Sequence, residues 1–280
     1  MSSLPTASRS RLNSFRRWIR LGFLSWAVFS TAWLANSMRT RGVDAALLQT
    51  SATVAVADTA TSLAFTPTAP ASQSPALLFF CGSGVTAEAY APLLRPLADA
   101  GQPVFIVKLP WRFAPLESHK AEALTRARAV MAAHPEVSRW VVSGHSLGAA
   151  LACRLAAAQP ADFAALVLVG TTHPKADDLS RLTLPVTKVY ATHDGIAPVE
   201  RVMSNRRLLP AATRWVEIAG GNHSQFGHYG HQLFDGEAAI SREEQQQQTL
   251  AALRDALAGR PPGSAVIKKA RGVTSWHSSS

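Results

Sequence analysis

The sequence predicts an α/β fold: a mostly parallel central sheet with helices on both faces. Two observations carry this reading. Between residues 76 and 257, apolar runs of strand length alternate with helix-length stretches, and no internal repeat interrupts the alternation. Parallel strands need a crossover between them, and the crossover helices cover the sheet faces, so each strand becomes a continuous apolar run. At 280 residues and 47% hydrophobic composition, the chain can bury one sizeable core and still carry tails.

In order, 52–56 and 62–65 are rich in β-branched or apolar residues and predict two short antiparallel strands that open the sheet. A Pro/Ala/Ser-rich connector spans 66–75. Strands are then expected at 76–80, 104–108, 140–143, 165–169, 186–191 and 214–218, with helices at 87–100, 116–133, 147–158, 199–209 and 242–257. The glutamine run 245–248 reads as a solvated helix face. Gly259 and Pro261-Pro262-Gly263 end the last helix, and 261–280 reads as a disordered basic tail.

The formal charge of +10 raises nucleic acid as a partner, so the position of the charge decides. Residues 1–41 hold seven arginines and no acid, and 260–280 hold four basic residues and no acid. Removing these eleven from +10 leaves −1 on residues 42–259. The middle of the chain therefore has no electrostatic footprint for phosphate, which argues against nucleic acid. The two cysteines, Cys81 and Cys153, lack partners at metal-ligand spacing, so zinc is not expected and both read as small buried hydrophobes.

Residues 21–38 run for 18 positions without a charge, behind Arg16, Arg17 and Arg20. This predicts an N-terminal membrane helix with Trp18 and Trp33 near the two interfaces, although Ser25, Ser30, Thr31, Asn36 and Ser37 dilute it. Four arginines precede the run within ten residues and two follow it, so the positive-inside bias places the domain on the non-cytoplasmic side of a single-pass anchor. Ala35-Asn36-Ser37 also resembles a signal-peptide cleavage site, and cleavage would make the protein secreted. The expected organisation is 1–41 basic segment and anchor, 42–260 globular domain, and 261–280 tail.

The chemistry centres on Gly144-His145-Ser146-Leu147-Gly148, between an expected strand and an expected helix. A serine on such a sharp turn lifts its hydroxyl above the sheet, and glycines two positions either side remove side chains that would clash there. A hydroxyl needs a base to become a nucleophile, and an acid must orient that base. Chain order offers Asp194 in Thr192-His193-Asp194-Gly195 and His223 in Gly220-Gly221-Asn222-His223, both at carboxyl ends of strands. His145, His193, His228 and His231 compete for the base, and Asp177, Asp178 and Asp235 for the acid. Oxyanion donors are expected from the Leu147 amide and from Ser83 or Gly84 in the glycine-rich loop 81–85.

These residues resemble the α/β-hydrolase fold-five domain family, whose members are similar to dienelactone hydrolases. The resemblance covers about residues 75 to 250 and rests on Gly82, Ala89-Tyr90-Ala91-Pro92-Leu93, Gly144-His145-Ser146-Leu147-Gly148, Asp194-Gly195, and Gly220-Gly221-Asn222-His223-Ser224-Gln225-Phe226-Gly227. It implies nucleophile, acid and base roles at Ser146, Asp194 and His223, no cofactor, and an ester, lactone or related small acyl substrate. Members often carry an N-terminal membrane segment. They tend to have a second glycine and a lysine where this chain has Ser83 and Gly84, which leaves the second oxyanion donor open. Acyl transfer or cofactor-free peroxide chemistry on the same triad, and a non-catalytic tethered binding protein, are the rival functions.

Overall fold

The computed structural model describes residues 6–69, 75–175 and 177–260, with side chains from residue 13 onward. The expected tail at 261–280 lies outside the described residues, as does part of the 66–75 connector.

Eight strands form one sheet: β1 (Val54–Asp58), β2 (Ser62–Pro67), β3 (Ala76–Phe80), β4 (Val104–Val107), β5 (Trp140–His145), β6 (Phe163–Val169), β7 (Val186–Ala191) and β8 (Arg214–Ile218). Their spatial order is β1-β2-β4-β3-β5-β6-β7-β8. The β1/β2 and β2/β4 pairs are antiparallel and the other five pairs are parallel. Every residue of β3, β4 and β5 is buried, which is why β3 and β4 read as unbroken apolar runs.

Helix α1 (Thr6–Ser37) precedes the sheet, and five helices follow: α2 (Ala91–Asp99), α3 (Glu117–Ala133), α4 (Leu147–Ala158), α5 (Val199–Ser204) and α6 (Arg242–Leu257). Helices α2 and α6 pack on each other, as do α3 and α4, and each pair also contacts sheet strands, so the sheet is sandwiched. Two expected helices are shorter than predicted. The 87–100 stretch begins as a 3-10 turn because Pro92 suits the first turn of α2 rather than its interior, and α5 gives way to a 3-10 turn at Arg206–Leu208. Helix α6 starts at a capping box in which Ser241 and Glu244 satisfy each other's backbone amides.

The N-terminal expectation is corrected in one respect. A helix forms over Thr6–Ser37, but no helix among the described residues is long and apolar enough to cross a membrane. The hydroxyl and amide side chains near its C-terminal end lower its apolarity. The helix nevertheless exposes large apolar side chains along its length, among them Trp18, Phe23, Trp26 and Phe29. The residues that follow it tie it to the domain: Arg112 donates to the Met38 carbonyl, Thr40 bridges to Tyr229, and the Arg41 amide donates to the His228 carbonyl at 2.9 Å.

Candidate active site

The parallel strands deliver their carboxyl ends to one rim, and the sequence-predicted residues gather there. Ser146 occupies the turn between β5 and α4 with φ 55° and ψ −118°, a left-handed backbone that a side chain seldom adopts. The glycines around it are required by packing. A Cβ on Gly144 would overlap the Gly148 backbone, and one on Gly148 would overlap the Phe80 carbonyl.

Asp194 follows β7 and His223 follows β8. His223 Nδ1 lies 2.8 Å from Asp194 Oδ2, and both side chains are buried. The other carboxylate oxygen, Oδ1, accepts the Ile196 and Ala197 amides at 2.9 and 2.6 Å, so the acid is held from both ends. Ser146 and His223 line one pocket of about 210 Å3, together with Leu147, Thr171, Thr172, His173, Ile196 and Ala197. The hydrogen bond joining the candidate triad here is the His223–Asp194 one; serine and histidine share the pocket without a bond between them, and such contacts commonly tighten only around substrate.

The rival residues are placed elsewhere. His145 is buried with Nδ1 against the Tyr90 hydroxyl at 2.9 Å, and burial, reinforced by His223, holds its pKa well below 6.5. His193 contacts the Glu237 carbonyl, His228 contacts Gln246, and His231 contacts the Asp235 carbonyl. Asp178 caps the Ser180 amide, and Asp177 is exposed.

In the loop after β3, the Gly82 amide donates to the Tyr90 hydroxyl and the Gly84 amide to the Arg112 carbonyl, both at 2.9 Å. Gly84 is thereby removed as a donor to substrate. No acceptor for the Ser83 amide is found among the described residues, and the Leu147 amide stands at the first position of α4, where no intrahelical acceptor exists. Trp111 does not enter the pocket; its side chain is exposed.

Several supporting residues escaped the sequence reading. Asp235 accepts from the amides of Gly195, His223 and Ser224 and from the Ser224 hydroxyl, so one carboxylate fastens the acid loop to the histidine loop. Gln245 and Gln246 are buried rather than solvated. Gln245 accepts the Asn222 amide at 3.0 Å and donates to the Asn222 carbonyl at 2.7 Å, while Gln246 donates to the Gln225 carbonyl. The signal was present in the spacing: residues 245, 249, 252, 253 and 256 fall on one helical face, and that face is buried. Lys188 is buried in β7 and donates to the His173 carbonyl on the pocket wall, and burial lowers its pKa to about 7. No sequence signal marks it.

Both cysteines are unpaired and buried, and burial raises their pKa values, that of Cys153 to about 12. Among the described residues, no group of three or more His, Cys, Asp or Glu is arranged to hold a metal ion.

Residues 76–247 match the alpha/beta hydrolase family. The chain belongs to that family. Membership supports a hydrolase. Solved structures of similar fold include Est1E from Butyrivibrio proteoclasticus, at 14% identity over 74% of this chain and 100% of that one, with a TM-score of 0.53. A monoacylglycerol lipase from Paleococcus ferrophilus matches at 14% identity over 71% of this chain and 98% of that one, TM-score 0.55. A CIB-like hydrolase from Thermoplasma acidophilum matches at 15% identity over 72% and 97%, TM-score 0.53. No curated protein matches the sequence. At these identities the structural likeness speaks for the fold alone.

Proposed function

We propose that this alpha/beta hydrolase cleaves an ester, lactone or related small acyl substrate through Ser146, His223 and Asp194. The observation that carries the reading is the pocket shared by Ser146, on its left-handed turn, and His223, whose Nδ1 is held 2.8 Å from a buried aspartate. Asp194 fixes the ring so that Nε2 takes the serine proton as Ser146 Oγ attacks the carbonyl carbon. The oxyanion is met by the amides of Leu147 and Ser83. Collapse expels the alcohol, which receives the proton from His223, and leaves an acyl-enzyme. Water, deprotonated by the same histidine, then releases the acid.

A pocket of about 210 Å3 is smaller than most sites for drug-sized ligands, which favours a short acyl or compact alcohol portion inside it. The test is labelling of the purified full chain by a fluorophosphonate, with peptide mapping. Label is expected on Ser146, and lost in Ser146→Ala and His223→Ala. A folded chain that takes up no label would instead favour the tethered binding protein.

The apolar side chains that α1 exposes and the arginines flanking it favour attachment to a membrane through this helix. Retention of the full chain by washed membranes reads out attachment.

A further inference from the structure

Outside α1, six large hydrophobic side chains are exposed among the described residues: Trp111, Phe113, Leu116, Ile196, Leu233 and Phe234. All six lie on three loops at the carboxyl ends of strands, after β4, β7 and β8. The loop after β4 borders the candidate oxyanion loop, since Ser83 donates its hydroxyl to the Phe113 carbonyl at 3.2 Å. Ile196 lines the pocket, and Phe234 adjoins Asp235 and the acid loop. The exposed apolar residues therefore lie on the rim of the sheet at which the pocket opens. Scattered surface hydrophobics need no explanation, but a set confined to one rim does.

The backbone of these loops is a second, independent observation. Among the described residues, five non-glycine residues have positive φ: Ser146 and, on the rim, Trp111 at 53°, Arg112 at 64°, Ala114 at 45° and Phe234 at 69°. Such conformations are disfavoured for residues with side chains and persist where surrounding structure enforces them. Here two of them present the most exposed aromatics of the domain, Trp111 at 78% and Phe234 at 81%.

Helix α1 leaves the domain at the same rim. Arg112 holds the Met38 carbonyl, and the Met38 side chain lies beside Gly84 along with Phe113. The apolar surface of α1 is thus continuous with the rim, and arginines flank the apolar run at both ends. We infer that the rim seats on a lipid bilayer, with anionic headgroups met by the flanking arginines, so that the pocket opens onto the membrane. This rests on the hydrolase reading for its substrate class, an acyl ester dissolved in the bilayer. The small pocket takes the reacting ester group, and the remaining hydrocarbon stays in lipid.

Cys81 and Cys153 are buried, so bimane can be placed selectively on Trp111→Cys and Phe234→Cys in the full chain, with Glu136→Cys at the amino end of β5 as reference. In phosphatidylcholine/phosphatidylglycerol vesicles carrying nitroxide lipids, quenching is expected at 111 and 234 and not at 136. Equal quenching at all three sites, or none at 111 and 234, overturns the inference. So does a spectral shift that follows protein concentration without vesicles, which identifies a second copy as the occupant. The Trp111→Ser/Phe234→Ser chain should hydrolyse a soluble short-chain nitrophenyl ester as before. On a vesicle-embedded ester it should lose roughly tenfold or more, the partitioning factor of one buried aromatic side chain. Equal activity of both chains on the embedded ester counts against the rim. If the unsubstituted chain turns over neither ester while the quenching pattern holds, the docking surface stands and the hydrolase reading falls.

Discussion

Tyr90 joins two groups that would otherwise be buried without partners. The Gly82 amide donates to its hydroxyl, and the same hydroxyl pairs with His145 Nδ1 at 2.9 Å, which leaves Nε2 as the other ring nitrogen of His145. That nitrogen is buried without a partner, and the ring stands with its centroid 4.5 Å from that of His223. One tyrosine thus couples the loop that presents the Ser83 amide to the strand that presents Ser146. Tyr90→Phe removes the hydroxyl and leaves two buried polar groups unpaired, at about 1–3 kcal/mol each. A melting temperature lower by several degrees is expected, with reduced kcat and little change in KM, because the loop proposed to meet the oxyanion shifts while the pocket does not. A melt and a Michaelis series on one short-chain ester suffice; unchanged kcat would remove Tyr90 from the positioning of that loop.

At the scale of elements, the histidine loop is held by α6 as much as by its own turn. Gln245 makes both hydrogen bonds to the Asn222 backbone, one residue before His223, and Asp235 secures His223 and Ser224 from the other side. Gln245→Leu keeps the volume and deletes both bonds, leaving a buried N–H and C=O. A loss of about 2–4 kcal/mol is expected by denaturant titration, with kcat reduced because His223 is no longer fixed against Asp194. If stability drops and kcat per folded molecule does not, α6 supports the fold and not the histidine. Legibility differed between elements for a physical reason. The fully buried strands β3 and β7 fall on their predicted bounds, because strand-length runs between turns are read directly. The glutamines of α6 were misread because composition suggests solvent, while burial of a polar side chain is decided by a partner distant in sequence, here Asn222.

At the scale of the whole molecule, burial of histidines is expected to make stability fall on the acid side. Burial lowers the pKa of His145, and burial with Lys175 and Lys188 nearby lowers that of His173 to about 4. Unfolded, both titrate near 6.5, so below that pH the unfolded chain binds more protons than the folded one. The stability they contribute is complete above pH 6.5, and that of His173 is lost as pH falls toward 4. Lys188 acts in a higher window: folded it titrates at about 7 and unfolded at 10.5, so its contribution rises with pH between those values. Melting temperatures across pH 4 to 8 should therefore decline on the acid side from about 6.5, and His173→Asn should flatten that slope. An identical slope in the variant would assign the acid-side fall to other groups.

The sequence by itself determined the α/β class, the order of strands and helices and the elbow around Ser146, and it offered Asp194 and His223 among a few candidates at strand ends. Each of these follows from local signals: apolar periodicity, glycines where a Cβ would collide, and loops at strand ends. Tertiary structure alone decided which amide of the 81–85 loop remains free, since Gly82 and Gly84 are engaged by Tyr90 and Arg112 from elsewhere in the chain. It also decided that Asp235 and Gln245 brace the histidine, that Lys188 supports the pocket wall, and that the exposed aromatics lie on one rim. These depend on contacts between residues far apart in sequence, and no local pattern encodes the meeting of two distant side chains.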